Sequence, residues 1–383
     1  MRSIIRHWQH ELVQVFKDAG VVIFFLVVPF TYPILYGIIY NRETVLEVPM
    51  VVVDQSGTSS SREFIRRIDA SPEVKVAAYS ANMDDAKTKI AEKVGYGILY
   101  IPGDFSKNLH TGRKTEVKLF CDMSSLLYYK AILLTTTEVS LEMGKELLVE
   151  TLPSGSSKMD EITAIPVRHE SIALYNPQSG FSSFLLPAIL AMVIQQTLLL
   201  GIGMLAGTRH SSRYTGPTYP KRGILQALIG RSLAYLTIYV VVSFWALILV
   251  PSIFNLPQIS SISTIALFAP PYILACIFFS MAISCFMTSR EIPMMIFVFT
   301  SLPLLFISGI SWPGSSVPVF WEWISYIFPS TFGVRGFIKI NSTGAGMDLV
   351  SFEYLMLWGQ TFVYAIITFL LYQRKSFWIS EKQ

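Results

Sequence analysis

Apolar, nearly uncharged runs of about twenty residues recur six times along this chain, each long enough for a helix to cross the hydrocarbon core of a bilayer. They are Gly20–Tyr40, Phe181–Ala206, Leu225–Phe254, Ile262–Met287, Ile292–Ile310 and Tyr354–Tyr372. Arg231, near the start of the third run, is expected to snorkel to the interface. The first run follows Arg2, Arg6 and Lys17. It is too long for the apolar core of a signal peptide, and the "YNRE" after it lacks a small-residue cleavage site, so it reads as an uncleaved anchor.

Between the first two runs the pattern changes to that of a soluble domain, over residues 41–176. "VPMVVVD" reads as a buried strand, and "SSSREFIRRI" offers Ser60 and Glu63 as a capping box opening a helix. "VKVAAY" is a second strand, and "NMDDAKTKIAEKV" a helix capped by Asn82. "GYGILYI" and "EVKLFCD" are a third and fourth strand, followed by a longer helix from about Ser124 to Glu150. Strands alternating with helices predict a small α/β layer. His110 and His169 lack the spacing of metal ligands.

Composition agrees with the pattern. Of 383 residues, 52% are hydrophobic and only 15% charged, well below the charged fraction of soluble domains. A net charge of +4 is too small to argue for nucleic acid. The three cysteines, Cys121, Cys276 and Cys285, form neither a disulfide framework nor a metal pattern. What the charges do indicate is orientation, because Lys and Arg in short loops favour the cytoplasmic side. The loop 207–223 carries Arg209, Arg213, Lys221 and Arg222 and no acid. Both termini are basic and Arg290 lies in the tight turn between runs four and five, whereas residues 251–261 hold no charge. Both termini and the 207–223 loop are therefore expected in the cytoplasm, with 41–176 and 308–353 outside.

Two further segments stand out. Residues 2–17 are amphipathic at helical period, with Ile4, Ile5, Trp8, Leu12, Val15 and Phe16 on one face, which predicts a helix lying in the membrane interface over 1–19. Glu11 sits at the edge of that apolar stripe, an awkward place for a carboxylate unless something basic meets it. The second segment, 308–340, contains "SGISWPGSSVPVFWEWISYIFPSTFGVRGF". It is too apolar for an ordinary loop, and too broken by Pro313, Pro318 and Pro329 for one spanning helix. Trp312, Trp321, Trp323 and Tyr326 are interface-loving rings. Glu322 could pair with Arg335 or Lys339, or stand in headgroup water. Gln195 and Gln196 are polar at membrane depth, and either contact a transported molecule or hold the bundle together. The runs carry no Asp, Glu or His, which weighs against a proton- or sodium-coupled carrier.

One span, a large outer α/β insert and five further spans resemble the permease subunits of ABC exporters of the ABC-2 type. The likeness rests on "VVVDQSGTSSSREFIRRI", "GYGILYIPGDFSKNLHTG", "YNPQSGFSSFLLPAIL" and the 308–337 segment. The resemblance implies an α-helical polytopic membrane protein of six transmembrane helices with a re-entrant outer hairpin and an inserted extracytoplasmic α/β domain. In its terms the chain divides into 1–19, 20–40, 41–176, 177–374 and a tail, 375–383. It also implies export of an unidentified substrate across the cell (inner) membrane, with the permease working as a dimer with a second copy or a paralogue. A periplasmic adaptor and outer-membrane channel are candidate partners. The chain has no GxxxxGK[ST], so ATP and Mg are expected on separate cytoplasmic ATPase subunits, and none on this chain. The resemblance casts the N-terminal helix and the 207–223 loop as the coupling elements, with Arg2, Arg6, Glu11, Arg209, Arg213, Tyr214, Lys221 and Arg222 as contacts. It casts Trp312, Pro313, Trp321, Glu322, Trp323 and Arg335 as parts of the outer gate. Topology alone also accounts for the basic residues, and a lipid anchor for the helix. A membrane-anchored receptor or secretion scaffold, using 41–176 as its binding module, is the alternative function. Membrane-impermeant thiol labelling is expected to reach a single cysteine placed in 41–176 and one placed in 207–223 from opposite sides of the membrane. Labelling of both from one side would contradict this topology.

Overall fold

The computed structural model describes residues 1–40, 44–111, 113–151, 180–210, 223–256, 258–309 and 316–381. The chain forms two compact units, Thr44–Ile172 and, joined from either side of it, Met1–Glu43 with Ala173–Gln383.

The smaller unit is a four-stranded sheet with helices on both faces. Its elements are β1 (Val48–Asp54), α3 (Ser59–Asp69), β2 (Val74–Tyr79), α4 (Met83–Ala91), β3 (Gly97–Ile101), α5 (Phe105–His110), β4 (Lys118–Cys121) and α6 (Leu126–Thr151). The strand order is β2-β1-β3-β4, with β1 parallel to β2 and β3, and β4 antiparallel to β3. Side chains alternate across a strand. Val48, Met50 and Val52 therefore meet Phe64, Ile68 and Ile132, while Val51 and Val53 meet Ala86 on the other face. A parallel strand covered on both faces must be apolar throughout, which is why "VPMVVVD" is nearly continuous. Asn82 caps α4, its Oδ1 accepting from Asp85 N at 2.9 Å. The capping box of α3 is Thr58 with Ser61, not Ser60 with Glu63. Ser61 Oγ also donates to Asp54 Oδ2 at 2.8 Å, tying the cap to the end of β1, and Glu63 is taken up by Arg66 and Arg67. The short helix α5 was not expected from the sequence.

The larger unit begins with α1 (Arg2–Lys17). Among the described residues, five helices are long and apolar enough to cross a membrane: α2 (Ala19–Ile39), α7 (Phe181–His210), α8 (Ile224–Ile253), α9 (Ile262–Ser284) and α13 (Ser351–Glu381, apolar to Lys375). The expected fifth span is the shorter helix α10 (Ile292–Ile307). Its 16 residues rise about 24 Å, short of a hydrocarbon core of roughly 30 Å. Helices α2 and α8 each contain a π-helical turn, at Ile23–Val27 and Trp245–Leu249. In both cases a proline follows two residues later, Pro29 or Pro251. A proline ring clashes with the carbonyl four residues before it and donates no N–H, so widening that turn relieves the clash.

α7 is the central post, buried along most of its length, and it packs against α2, α9, α10 and α12 (Pro329–Thr343). α12 follows α11 (Val319–Ser325). Both are too short to span, and α12 is largely buried, with Gly333 and Gly336 lying against the rings of Tyr272 and Phe268. α13 starts earlier than its apolar run suggests and carries Glu353, a buried carboxylate bridged to Lys339 at 2.6 Å. Glu353 lies one residue before the expected run Tyr354–Tyr372, so the helix, unlike the run, carries a buried acid.

Candidate functional site

α1 does not simply float on a lipid surface; it is packed along α8. Gly230 makes the approach possible. A Cβ there would fall 2.6 Å from His7 Cβ and 2.8 Å from the Ile4 carbonyl oxygen, so any larger side chain would push the two helices apart. Trp8 Nε1 donates to Thr237 Oγ1 at 3.2 Å, about two helical turns further along α8. The face of α1 turned to the bundle is centred on Glu11 and Val15, its two buried residues. Ile5 and Phe16, which share the apolar stripe, are exposed instead.

Glu11 is therefore the centre of the contact and not its edge, with only 1% of its side chain accessible. Arg209, at the end of α7, donates to Glu11 Oε1, and so does the Tyr235 hydroxyl from α8. Arg231 Nε lies 3.5 Å from Oε2. The guanidinium of Arg231 sits over the Tyr372 ring of α13, 5.5 Å from its centroid. One carboxylate thus joins α1, α7 and α8, and through Arg231 reaches α13. Arg231 is buried in this cluster rather than snorkelling outward, because a buried carboxylate lies within its reach. Burial alone would raise the Glu11 carboxyl, but Arg209 and Arg231, helped by the hydrogen bonds from Arg209 and Tyr235, outweigh it and hold the group below its ordinary range. Its depressed value means that the stability it contributes is fully present above the ordinary glutamate range. That contribution fades only as pH falls through the lowered value.

A second link lies beside the first. Asp18 ends α1 and caps α2, accepting from Gly20 N at 3.1 Å. It also accepts from Arg290 Nη2 at 2.7 Å and from the Thr208 hydroxyl at 3.2 Å. The α1–α2 junction, the end of α7, the α9–α10 turn and the end of α13, whose Lys375 donates to the Cys285 carbonyl, all meet at one end of the bundle. Arg2 and Arg6 are exposed on α1. Arg213, Tyr214, Lys221 and Arg222 lie outside the described residues.

A different set of contacts holds the turn between α11 and α12. A broken helix at membrane depth leaves backbone groups that the surrounding protein must satisfy. Gln195 Oε1 of α7 accepts from Ser330 N at 2.6 Å, and Gln360 Nε2 of α13 donates to the Tyr326 carbonyl at 2.7 Å. The Tyr364 hydroxyl donates to the Ile327 carbonyl. Gln195 thus ties α7 to the first turn of α12. Gln196 is buried, and neither of its amide atoms has a hydrogen-bond partner among the described residues. Glu322 pairs with neither Arg335 nor Lys339: it accepts from the Tyr326 hydroxyl at 2.8 Å. Arg335 reaches the Ser308 carbonyl at 3.4 Å, and Lys339 is engaged by Glu353. Trp321 and Trp323 are exposed, and Trp312 and Pro313 lie outside the described residues.

Several membership signals of this site escape local reading. Tyr235, Tyr372 and Gly230 look like ordinary span residues. Arg231 carried a usable signal, since an arginine at membrane depth implies a partner, and Glu11 was the unplaced carboxylate.

Five helices long and apolar enough to cross a membrane, among the described residues, mark a multi-pass membrane protein. The chain matches the model of the ABC-2 family transporter protein over residues 19–370 and belongs to that family. It is accordingly a membrane component of an ABC transporter, a class that pairs with ABC ATPase subunits. Comparison with curated proteins finds no match.

Truncating one partner of a buried pair strands the other charges, at about 3–5 kcal/mol. Glu11→Ala is expected to release α1, seen as faster hydrogen exchange over residues 2–17 in the purified protein, with the exchange of α9 unchanged. Gly230→Leu should do the same through sterics while every charge remains. Protection of α1 as in the parent protein, in either variant, would show that these contacts do not hold it.

Proposed function

We propose that this chain is the membrane half of an ATP-driven exporter, and that the Glu11 cluster is the joint through which the ATPase subunits move its helices. The observation that carries the proposal is the burial of one carboxylate shared by α1, α7 and α8. In this reading both termini and the cluster face the cytoplasm in a cell (inner) membrane, and two permease chains pair around the path. ATP and Mg are bound by the partner subunits. A cytoplasmic ATPase would press on α1, with Arg2 and Arg6 exposed for contact, and on the segment carrying Arg213, Tyr214, Lys221 and Arg222.

The mechanical consequence follows from α7. Arg209 and Gln195 are on the same helix, fourteen residues and about 21 Å apart. A displacement applied at Arg209 is carried along a packed helix to Gln195, and from there to the N-terminus of α12. In the proposal α11 and α12 form a re-entrant outer gate, with Trp321 and Trp323 in the interface, and movement of α12 opens or closes the path. The α/β unit stands outside the cell membrane, where a periplasmic adaptor leading to an outer-membrane channel could meet it. The identity of the cargo does not enter this chain of contacts.

Charge reversal of the coupling segment tests the assignment without knowledge of the cargo. Arg213→Glu with Arg222→Glu is expected to leave membrane insertion intact and to remove at least nine-tenths of the co-purifying ATPase subunit, each lost charge-assisted contact being worth roughly a tenfold change in affinity. Undiminished co-purification would remove the segment from the coupling surface.

A further inference from the structure

The α/β unit contains a cleft of about 380 Å³ between α3, α5, α6 and the chain leading into β4. Pockets of this size take small molecules. Its floor is apolar: Phe64 and Phe105, whose ring centroids are 6.0 Å apart, with Leu109 and Met143. Its rim carries two cations, Arg113 and Lys114, and no carboxylate lines it. Of the acids on the neighbouring helices, Glu63 and Glu146 are both paired with Arg67. Lys114 has an exposed, loose contact with Glu116 at 3.6 Å, and no described carboxylate pairs with Arg113. Beside them Thr115 Oγ1 is buried with no hydrogen-bond partner among the described residues, an arrangement that native proteins ordinarily avoid.

Gly144 adds an independent observation. It lies inside α6, seven residues before the helix ends, where glycine weakens a helix relative to alanine. Such a glycine is usually explained by close packing, yet a Cβ at this position would meet nothing within 4 Å. Gly144 lines the cleft, so its lack of a side chain leaves the cleft open and serves no packing contact.

We propose that this cleft binds a small amphiphilic anion, a single alkyl or acyl chain ending in a carboxylate or phosphate. The chain would lie on Phe64, Phe105 and Met143, and the anionic head would meet Arg113, Lys114 and the Thr115 hydroxyl. This is a binding site of the α/β unit and stands whether or not the chain exports anything.

The test uses the full chain in phosphatidylcholine nanodiscs and a dodecanoate bearing a chain-terminal diazirine, with cross-linked peptides mapped by mass spectrometry. Labelling is expected on residues 105–117 and 139–147, competed by dodecanoate and dodecyl phosphate but not by dodecanol. Competition by dodecanoate with none by single-chain lysophosphatidic acid in the nanodisc identifies a free anion as the ligand; competition by both admits a single-chain membrane lipid of the same chemistry, and no competition by dodecanoate overturns the proposal. Gly144→Phe, which fills open space, should abolish the labelling, and Gly144→Ala should keep it. Arg113→Gln with Lys114→Gln, both exposed and unable to disturb the core, should weaken apparent affinity about tenfold. Label confined to the membrane helices, equal competition by dodecanol, or a Gly144→Phe protein labelled like the parent would each overturn the proposal.

Discussion

A carboxylate removed from water must be met by positive charge and hydrogen-bond donors, or it will not stay ionised and will not stay buried. Glu11 is such a group, and the arrangement of one end of the bundle follows from satisfying it. Arg209 must end α7 where it does, Arg231 and Tyr235 must share one face of α8, and α1 must lie close enough to deliver the carboxylate. Gly230 supplies that closeness. Ion pairs of this kind are poor sources of net stability but strong specifiers of geometry, since any misplacement leaves a charge unpaired. An amphipathic helix held only by its apolar stripe could slide or roll in the interface; one holding Glu11 between two arginines cannot.

The same logic recurs around the other set of short helices. The α11–α12 turn breaks the backbone ladder, and Gln195, Gln360 and Tyr364 supply the missing partners. α7 takes part in both arrangements, through Arg209 and Gln195. A post with polar fixings at two depths and an apolar, close-packed body is suited to carry displacement between them, because packed interiors transmit strain. Membership of the ABC-2 transporter family implies pairing with ABC ATPase subunits, the driver that the proposal assigns to this path.

Much of the fold was legible in the sequence, for identifiable reasons. Strands β1 and β2 fall on the residues expected because they are short runs of β-branched and small apolar residues bounded by polar turns. Five long helices were visible from length and hydropathy alone. α5 was not, since six residues of mixed polarity carry no periodic signal. The α3 cap was misplaced by two residues because three consecutive serines and a threonine offer equivalent side chains, and only the contact from Ser61 to Asp54 selects among them. The site was legible in halves. Local period marked Glu11 as needing a cation, and hydropathy marked Arg231 as out of place, but the partners are some two hundred residues apart along the chain, and no local pattern joins them. Glu322 shows the converse: proximity in sequence suggested Arg335, whereas Tyr326, one helical turn away, takes its carboxylate.

The central claim is that α1 and the adjoining end of α8 move as one body. Spin labels at Val13 on α1 and Leu225 on α8, both exposed, report on it through pulsed dipolar distance measurements in the assembled, hydrolysing complex. The account predicts the same distance distribution without nucleotide and with ATP trapped by vanadate. A shift of several ångströms between the two states would mean that α1 moves against the bundle, and that the buried carboxylate is not the joint.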